Sequence, residues 1–139
     1  MRDLLNNIHL PGAAVTANAD NTATVSPIVD VQGYDSLTFL IGAGTMADVD
    51  ATFTVLVEEG DAANLSDAAA VADADLIGTE ALAGFTFADD GEARKVGYKG
   101  TKRYVRCTVT PAANASAAPI AIIPVLGHPA QVPTPNPST

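Results

Sequence analysis

Four stretches of the chain carry apolar residues at every second position. In "SLTFLIG" (36–42) Leu37, Phe39 and Ile41 share one side, against Thr38 and Leu40. In "ATFTVLVEE" (51–59) Phe53, Val55 and Val57 oppose Thr52, Thr54 and Glu58. In "KRYVRCTVT" (102–110) Val105, Cys107 and Val109 oppose Tyr104, Arg106 and Thr108. Successive side chains of a strand point to opposite faces, so each run predicts a half-buried strand. "PIAIIPVLG" (119–127) is apolar almost throughout and predicts a fourth strand. Pro124 has no N–H for a ladder, which places that strand at a sheet edge or gives it a bulge. Weaker patterns predict strands at 13–16, 23–31 and 93–98.

The segments between these runs, "QGYD", "GAGTMADVD", "EEGDAA", "DDGE" and "YKGTK", are rich in the Gly and Asp that make turns. Many short strands without alternating helices predict an all-β fold, a small antiparallel β-sandwich or barrel-like domain. "NLSDAAAVADADLIG" (64–78) leaves two readings open. Ser66 or Asp67 caps a short helix running to Ala72, or the segment is an exposed loop.

Both ends read as arms on this domain. Residues 1–12 are amphipathic, with Leu4, Leu5, Ile8 and Leu10 apolar. Residues 13–127 form a single β-domain. Residues 128–139, "HPAQVPTPNPST", contain four prolines, which disfavour helix and interior sheet and favour an extended arm. Such an arm is either a loose end or a strap on a neighbouring subunit.

Composition narrows the picture. A length of 139 residues suits one domain, and with 5% aromatics and no Trp the core must come from Val, Ile, Leu and the four Phe. A single cysteine excludes an internal disulfide and a Cys-type metal cluster, and Cys107 reads as a small buried residue of its strand. No run approaches the roughly 18 apolar residues of a membrane span. The N-terminus lacks the charged-then-apolar pattern of a secretory signal, so synthesis in a cytoplasm and no membrane partner are expected.

Charge is segregated. All sixteen acidic residues lie between Asp3 and Glu92, and residues 107–139 carry no Asp, Glu, Lys or Arg. "RKVGYKGTKRYVR" (94–106) holds six of the seven basic residues of a chain with formal net charge -9. A nucleic-acid site would use such a cluster together with Tyr98 and Tyr104, but the chain as a whole repels a polyanion. Alternation also divides the cluster, sending Lys102, Tyr104 and Arg106 one way and Arg103 the other. Direct nucleic-acid binding is therefore not expected. The cations are expected to pair with carboxylates of the chain or of a partner. Arg103 and Arg106 suit ordered bidentate pairs, whereas Lys99 and Lys102 flank Gly100 and are expected in solvent.

Catalytic constellations are nearly missing. His9 and His128 lie near opposite termini, and none of the nucleophile, zinc or phosphate-loop motifs occurs, so no enzymatic activity and no cofactor is expected. Asp48 with Asp50, and Asp89 with Asp90 and Glu92, match no calcium-loop spacing and read as turn carboxylates. The residues expected to meet partners are Arg94, Lys95, Arg103 and Arg106 with Tyr98 and Tyr104 in the basic stretch. Leu4 and Leu5 join them in the first arm, and His128, Pro129, Pro133 and Pro135 in the second.

The wording itself carries a resemblance. "KVGYKGTKRYVRCTV", followed by "VLGHP" (125–129) and a Pro-rich end, resembles a family of small virion proteins of tailed bacteriophages encoded near the major capsid protein. "MRDLLNNI" and "ADADLIG" (72–78) fit the same family, and the likeness spans most of the chain. It implies a structural role without catalytic residues: a siphophage-type decoration or cement protein on the capsid exterior, bound to the major capsid protein and self-associating as a trimer or dimer. A tail-tube or head–tail connector component is the alternative. A carbohydrate-binding or adhesive β-domain is a third reading, weakened by three Tyr and no Trp.

Overall fold

The computed structural model of the chain describes residues 1–137. The four alternating runs become the four long strands apart from β10: β5 (Tyr34–Ala43), β6 (Thr52–Gly60), β11 (Tyr104–Ala112) and β12 (Ala118–Pro129). The weaker patterns give β2 (Ala14–Asn18), β3 (Thr24–Val25), β4 (Val29–Asp30) and β10 (Ala93–Tyr98). Two-residue strands β1 (Ile8–His9), β7 (Ala69–Ala70), β8 (Leu76–Ile77) and β9 (Phe85–Thr86) complete the set, with one short helix, α1 (Glu80–Ala83).

These strands form two antiparallel sheets. The first runs β1–β12–β5–β10–β8, with β2 also on β12; the second runs β3–β11–β6–β7, with β4 on β11 and β9 on β6. The sheets face each other as an open sandwich, and neither closes into a barrel. The chain changes sheet at almost every long connection. β5, β10 and β12 lie in the first sheet, and β6 and β11 in the second. Register is consequently set by distant residues, such as Ile122 opposite Ile41 and Cys107 opposite Val57.

The predicted inward residues meet between the sheets. Phe39, Ile41, Val96, Ile122 and Leu126 of the first sheet pack on Val29, Val57, Val105 and Val109 of the second, all at 0–1% exposure. Phe53 stacks on Phe85 with ring centroids 4.7 Å apart. Phe87 is the Phe that does not join the core; it lies outside, 39% exposed.

Two local expectations change, and the open choice between helix and loop at 64–78 goes to the loop. The strand bearing Pro124 is not at an edge. β2 pairs with residues 118–122 of β12 and β1 with residues 126–127, so the outer partner changes at the proline while β5 stays paired through it. The predicted strand at 23–31 divides at Pro27 into β3 and β4. There the Ser26 N–H donates to the Cys107 carbonyl (2.8 Å) and the Ser26 hydroxyl accepts from the Cys107 N–H (2.9 Å), holding the broken segment on β11. No helix forms at 66–72. Asp67 instead accepts from the Asp61 N–H (2.8 Å), closing a loop, and the helix lies further on, where the Thr79 hydroxyl accepts from the Leu82 N–H.

The two ends lie together. The Thr134 N–H donates to the Asn6 carbonyl (3.1 Å), and the buried Thr134 hydroxyl donates to the carbonyls of Leu5 and Ile8. Residues 130–137 therefore fold back onto the chain's own first arm. Among the described residues no helix is long and apolar enough to cross a membrane.

Candidate functional site

The basic stretch is the corner at which the chain leaves the first sheet as β10 and enters the second as β11. Tyr98 is its pivot. The phenol donates to Glu59 Oε2 (2.5 Å) on β6 and accepts from the Lys102 N–H (2.9 Å). Gly100 lies on the same ring: an added Cβ would sit 2.5 Å from the Tyr98 hydroxyl, so "YKG" turns here only with glycine. Burial and the Glu59 carboxylate both hold the Tyr98 phenol well above its ordinary value.

Four of the six cations are bound by the protein's own carboxylates. Arg106 Nε and Nη2 both reach Glu58 Oε2 (3.0 and 2.7 Å), its directly opposite partner on β6. Arg103 makes a two-pronged pair with Asp30, Nε to Oδ1 at 2.9 Å and Nη2 to Oδ2 at 2.8 Å. That bond holds the Asp30 carboxyl below its ordinary range. Arg94 Nη2 bridges Asp89 (3.0 Å) and Glu92 (2.8 Å). Lys102, expected in solvent, pairs with Asp61 at 2.5 Å while remaining exposed, and the pairing raises its pKa. Arg103 and Lys102 both precede β11, so they belong to the turn rather than to the alternating strand that the sequence reading gave them.

The remaining two cations differ. Among the described residues, neither Lys95 nor Lys99 has a carboxylate within ion-pair distance. Lys95 is exposed on the outward side of β10, beside Leu40 of β5. Tyr104 faces outward on β11, with the Arg103 guanidinium 5.2 Å from its ring centroid.

The other predicted contacts lie at the same end of the first sheet as Tyr98, whose neighbour Leu37 pairs with Leu126 of β12, itself opposite His9 of β1. Leu4 and Leu5 are 66% and 63% exposed. His128 and Pro129 end β12, with His128 Nδ1 3.0 Å from the Ser36 hydroxyl. Pro135 and Leu5 line a recess of about 270 Å³ between the two arms, while Pro133 directly precedes the clasping Thr134. The basic corner and the two arms thus share one end of the first sheet, with Ser36 lining a recess toward each.

Groups with potential chemistry are built into the frame. Cys107 is fully buried, and burial pushes its thiol up to about 12, so no thiolate forms near neutrality. The turn carboxylates cap backbone: Asp48 accepts from the N–H of Asp50 and Ala115, Asp90 from Met46 and Asp89 from Thr86. Among the described residues no three His, Cys, Asp or Glu side chains gather as a metal site. A groove of about 460 Å³ beside β6 is lined in part by Thr52, Thr54 and Glu80, whose carboxylate accepts from the Val57 N–H at 2.6 Å. The counterions Asp30, Glu58, Glu59 and Asp61 escape sequence reasoning. Outward alternation marks Glu58, but only register puts Arg106 opposite it.

No family model matches the chain, and no curated protein matches it in sequence. Solved structures align with most of its length. The crystal structure of the PBSX exported protein XepA aligns with 91% of this chain at 15% identity and a TM-score of 0.50; the chain spans 39% of XepA's length. The capsid of Ralstonia phage GP4 aligns with 91% of this chain and 86% of that chain, at 11% identity and a TM-score of 0.48. The N-terminal cellulose-binding domain of Cellulomonas fimi β-1,4-glucanase C aligns with 86% of this chain and 85% of that one, at 14% identity and a TM-score of 0.42. At 15% identity the likeness to XepA is one of fold alone. Phage proteins and a carbohydrate-binding domain both stand among its neighbours.

Proposed function

We propose that this chain is a structural virion protein of a tailed bacteriophage, and that it decorates the outer surface of the head, where it fastens coat-protein junctions. The observation that carries the reading is the joint occurrence of "GYKGTKRYVR" and "VLGHP", which resembles small virion proteins encoded beside the major capsid protein. The internal use of that motif supports it. Tyr98, Arg103 and Arg106 lock the two sheets and the turn into one unit, which suits a part that bears load. The sandwich it shares with XepA is compatible with the same role. Function then resides in buried interface area, with the major capsid protein as partner and self-association on the shell.

Mass spectrometry and surface proteolysis of purified virions test this reading. Many copies per particle, cleaved from the outside of intact heads, are expected. Recovery in tail fractions alone, at the copy number of a ring, would replace it with the tail-tube or connector reading. The glycan-binding reading has one outward aromatic on the second sheet, Tyr104, and Arg103 lies against that ring. Binding of the isolated domain on a glycan array would revive it.

A further inference from the structure

We propose that the outer face of the first sheet is a docking surface for a protein whose contacting patch is apolar and carries carboxylates placed to meet Lys95 and Lys99. The inference rests on the virion reading only for where that partner is found.

The face carries exposed apolar residues on several strands. Its outward residues include Val15, Leu40 and Ile77, at 75%, 41% and 60% exposure, with Ile123 and Val125 of the central strand β12 between them. They are contiguous. Ile123, Leu40 and Lys95 sit side by side across three strands, and the next row is Val125, Thr38, Gly97 and Ile77. Strand spacing and rise make this face roughly 20 Å by 20 Å, in the size range at which an exposed patch marks an interaction site.

Its charge is the reverse of the molecule's. The only acidic residue in the strands of this sheet is Asp35, and alternation puts it on the opposite side from Leu40. In a chain with sixteen carboxylates and a net charge of -9, the outward strand positions of this sheet therefore hold none; Asp35 and Asp75 flank only its Lys99 corner. The face has Lys95 instead, and Lys99, one step past β10, stands at its corner, the Lys99 N–H donating to the Asp75 carbonyl (2.8 Å). These are the two cations of the basic stretch that no described carboxylate satisfies.

Charge selects the occupant. A second copy docked face to face would bring lysine onto lysine with no carboxylate at an outward strand position to offset them, which disfavours it. Nucleic acid calls for several phosphate contacts, and two lysines on an apolar ground supply too few. An apolar surface bearing carboxylates buries the leucine and isoleucine side chains and neutralises both ammonium groups as water leaves.

Amine acetylation of intact virions, compared with the isolated chain, tests the proposal. Lys95 and Lys99 are expected to be protected in the particle, with Lys102 unchanged. Lys95→Glu should keep the melting temperature and lower particle occupancy at least about tenfold, while Thr108→Glu on the other sheet leaves occupancy intact. Full reactivity of Lys95 and Lys99 in virions, or unchanged occupancy of Lys95→Glu, overturns the docking face and spares the virion reading. Retention of the isolated chain on double-stranded DNA, lost in Lys95→Glu, overturns the protein partner. A chain missing from virions overturns the virion reading and this inference with it.

Discussion

On β5 the outward residues are Ser36, Thr38, Leu40 and Gly42; on β6 they are Thr52, Thr54, Leu56 and Glu58. Inward, the two strands are alike, with Phe39 and Ile41 on one and Phe53, Val55 and Val57 on the other. Outward, the sheets diverge across their neighbours. β5 is flanked by Ile123, Val125 and Lys95, and β6 by Thr110, Thr108 and Arg106. The second sheet closes its outer charge on itself through the Arg106–Glu58 pair. The first leaves its lysines unmatched on an apolar ground. A sandwich core needs only the inward half of each alternating pattern, so the outward half is free to be self-sufficient on one sheet and unsatisfied on the other.

The sharpest way to break this comparison uses adjacent residues of β5. Phe39→Ala should cost about 3–5 kcal/mol of stability, whereas Leu40→Ala should stay within about 0.5 kcal/mol. Denaturant titration of both variants reads the difference, and a large loss in Leu40→Ala would mean that its side of the sheet is structural. Tyr98→Phe comes next. It leaves the Lys102 N–H without its acceptor and Glu59 without its donor, and should cost about 1–3 kcal/mol.

Alkaline pH probes the same corner. The unfolded chain releases the Cys107 proton near the ordinary value of 9.0, whereas the folded chain holds it to about 12. The Tyr98 phenol is likewise held above 10.0. The native state therefore keeps protons that the unfolded state has lost. Stability should fall from about pH 9 upward by at most about 1.4 kcal/mol per pH unit for each group. Melting curves of Tyr98→Phe should show a shallower fall above pH 10.

The smallest effects separate paired from unpaired cations. Arg106→Ala should cost about 1 kcal/mol, because its pair with Glu58 is partly buried, while Lys95→Ala and Lys99→Ala should change stability by less than about 0.5 kcal/mol. Equal losses in all three would erase the distinction between the sheets. On the acid side, Arg103 depresses the Asp30 pKa below 3.8, so the stability this pair contributes is present above that value and is lost as pH falls through the lower, folded pKa. Asp30→Asn should flatten that limb of a melting-temperature profile.

The period-two runs determined the long strands, their inward residues and the burial of Cys107, because alternation is local and every second side chain must face the core. Their division of Arg103 from Tyr104 does not hold, because Arg103 precedes β11 and lies over the outward Tyr104 ring. Composition marked residues 107–139 as uncharged, which the central place of β12 explains. What alternation could not supply was the partner of each strand. β5 pairs with β10 and β12, and β6 with β11, across connections that change sheet, so which carboxylate meets which cation depends on register between distant segments. Pro124 illustrates the same limit: an edge is the local solution for a residue without an N–H, and a change of outer partner from β2 to β1 is the tertiary one. The loop at 64–68 closes on a local bond from the Asp61 N–H to Asp67, whereas the tail clasped by Thr134 was decided by hydrogen bonds to residues over a hundred positions away. Sequence alone thus determined which residues face inward. Only the assembled sandwich decided that Arg94, Lys102, Arg103 and Arg106 are satisfied within the molecule, and that Lys95 and Lys99 are left without an ion-pair partner among the described residues.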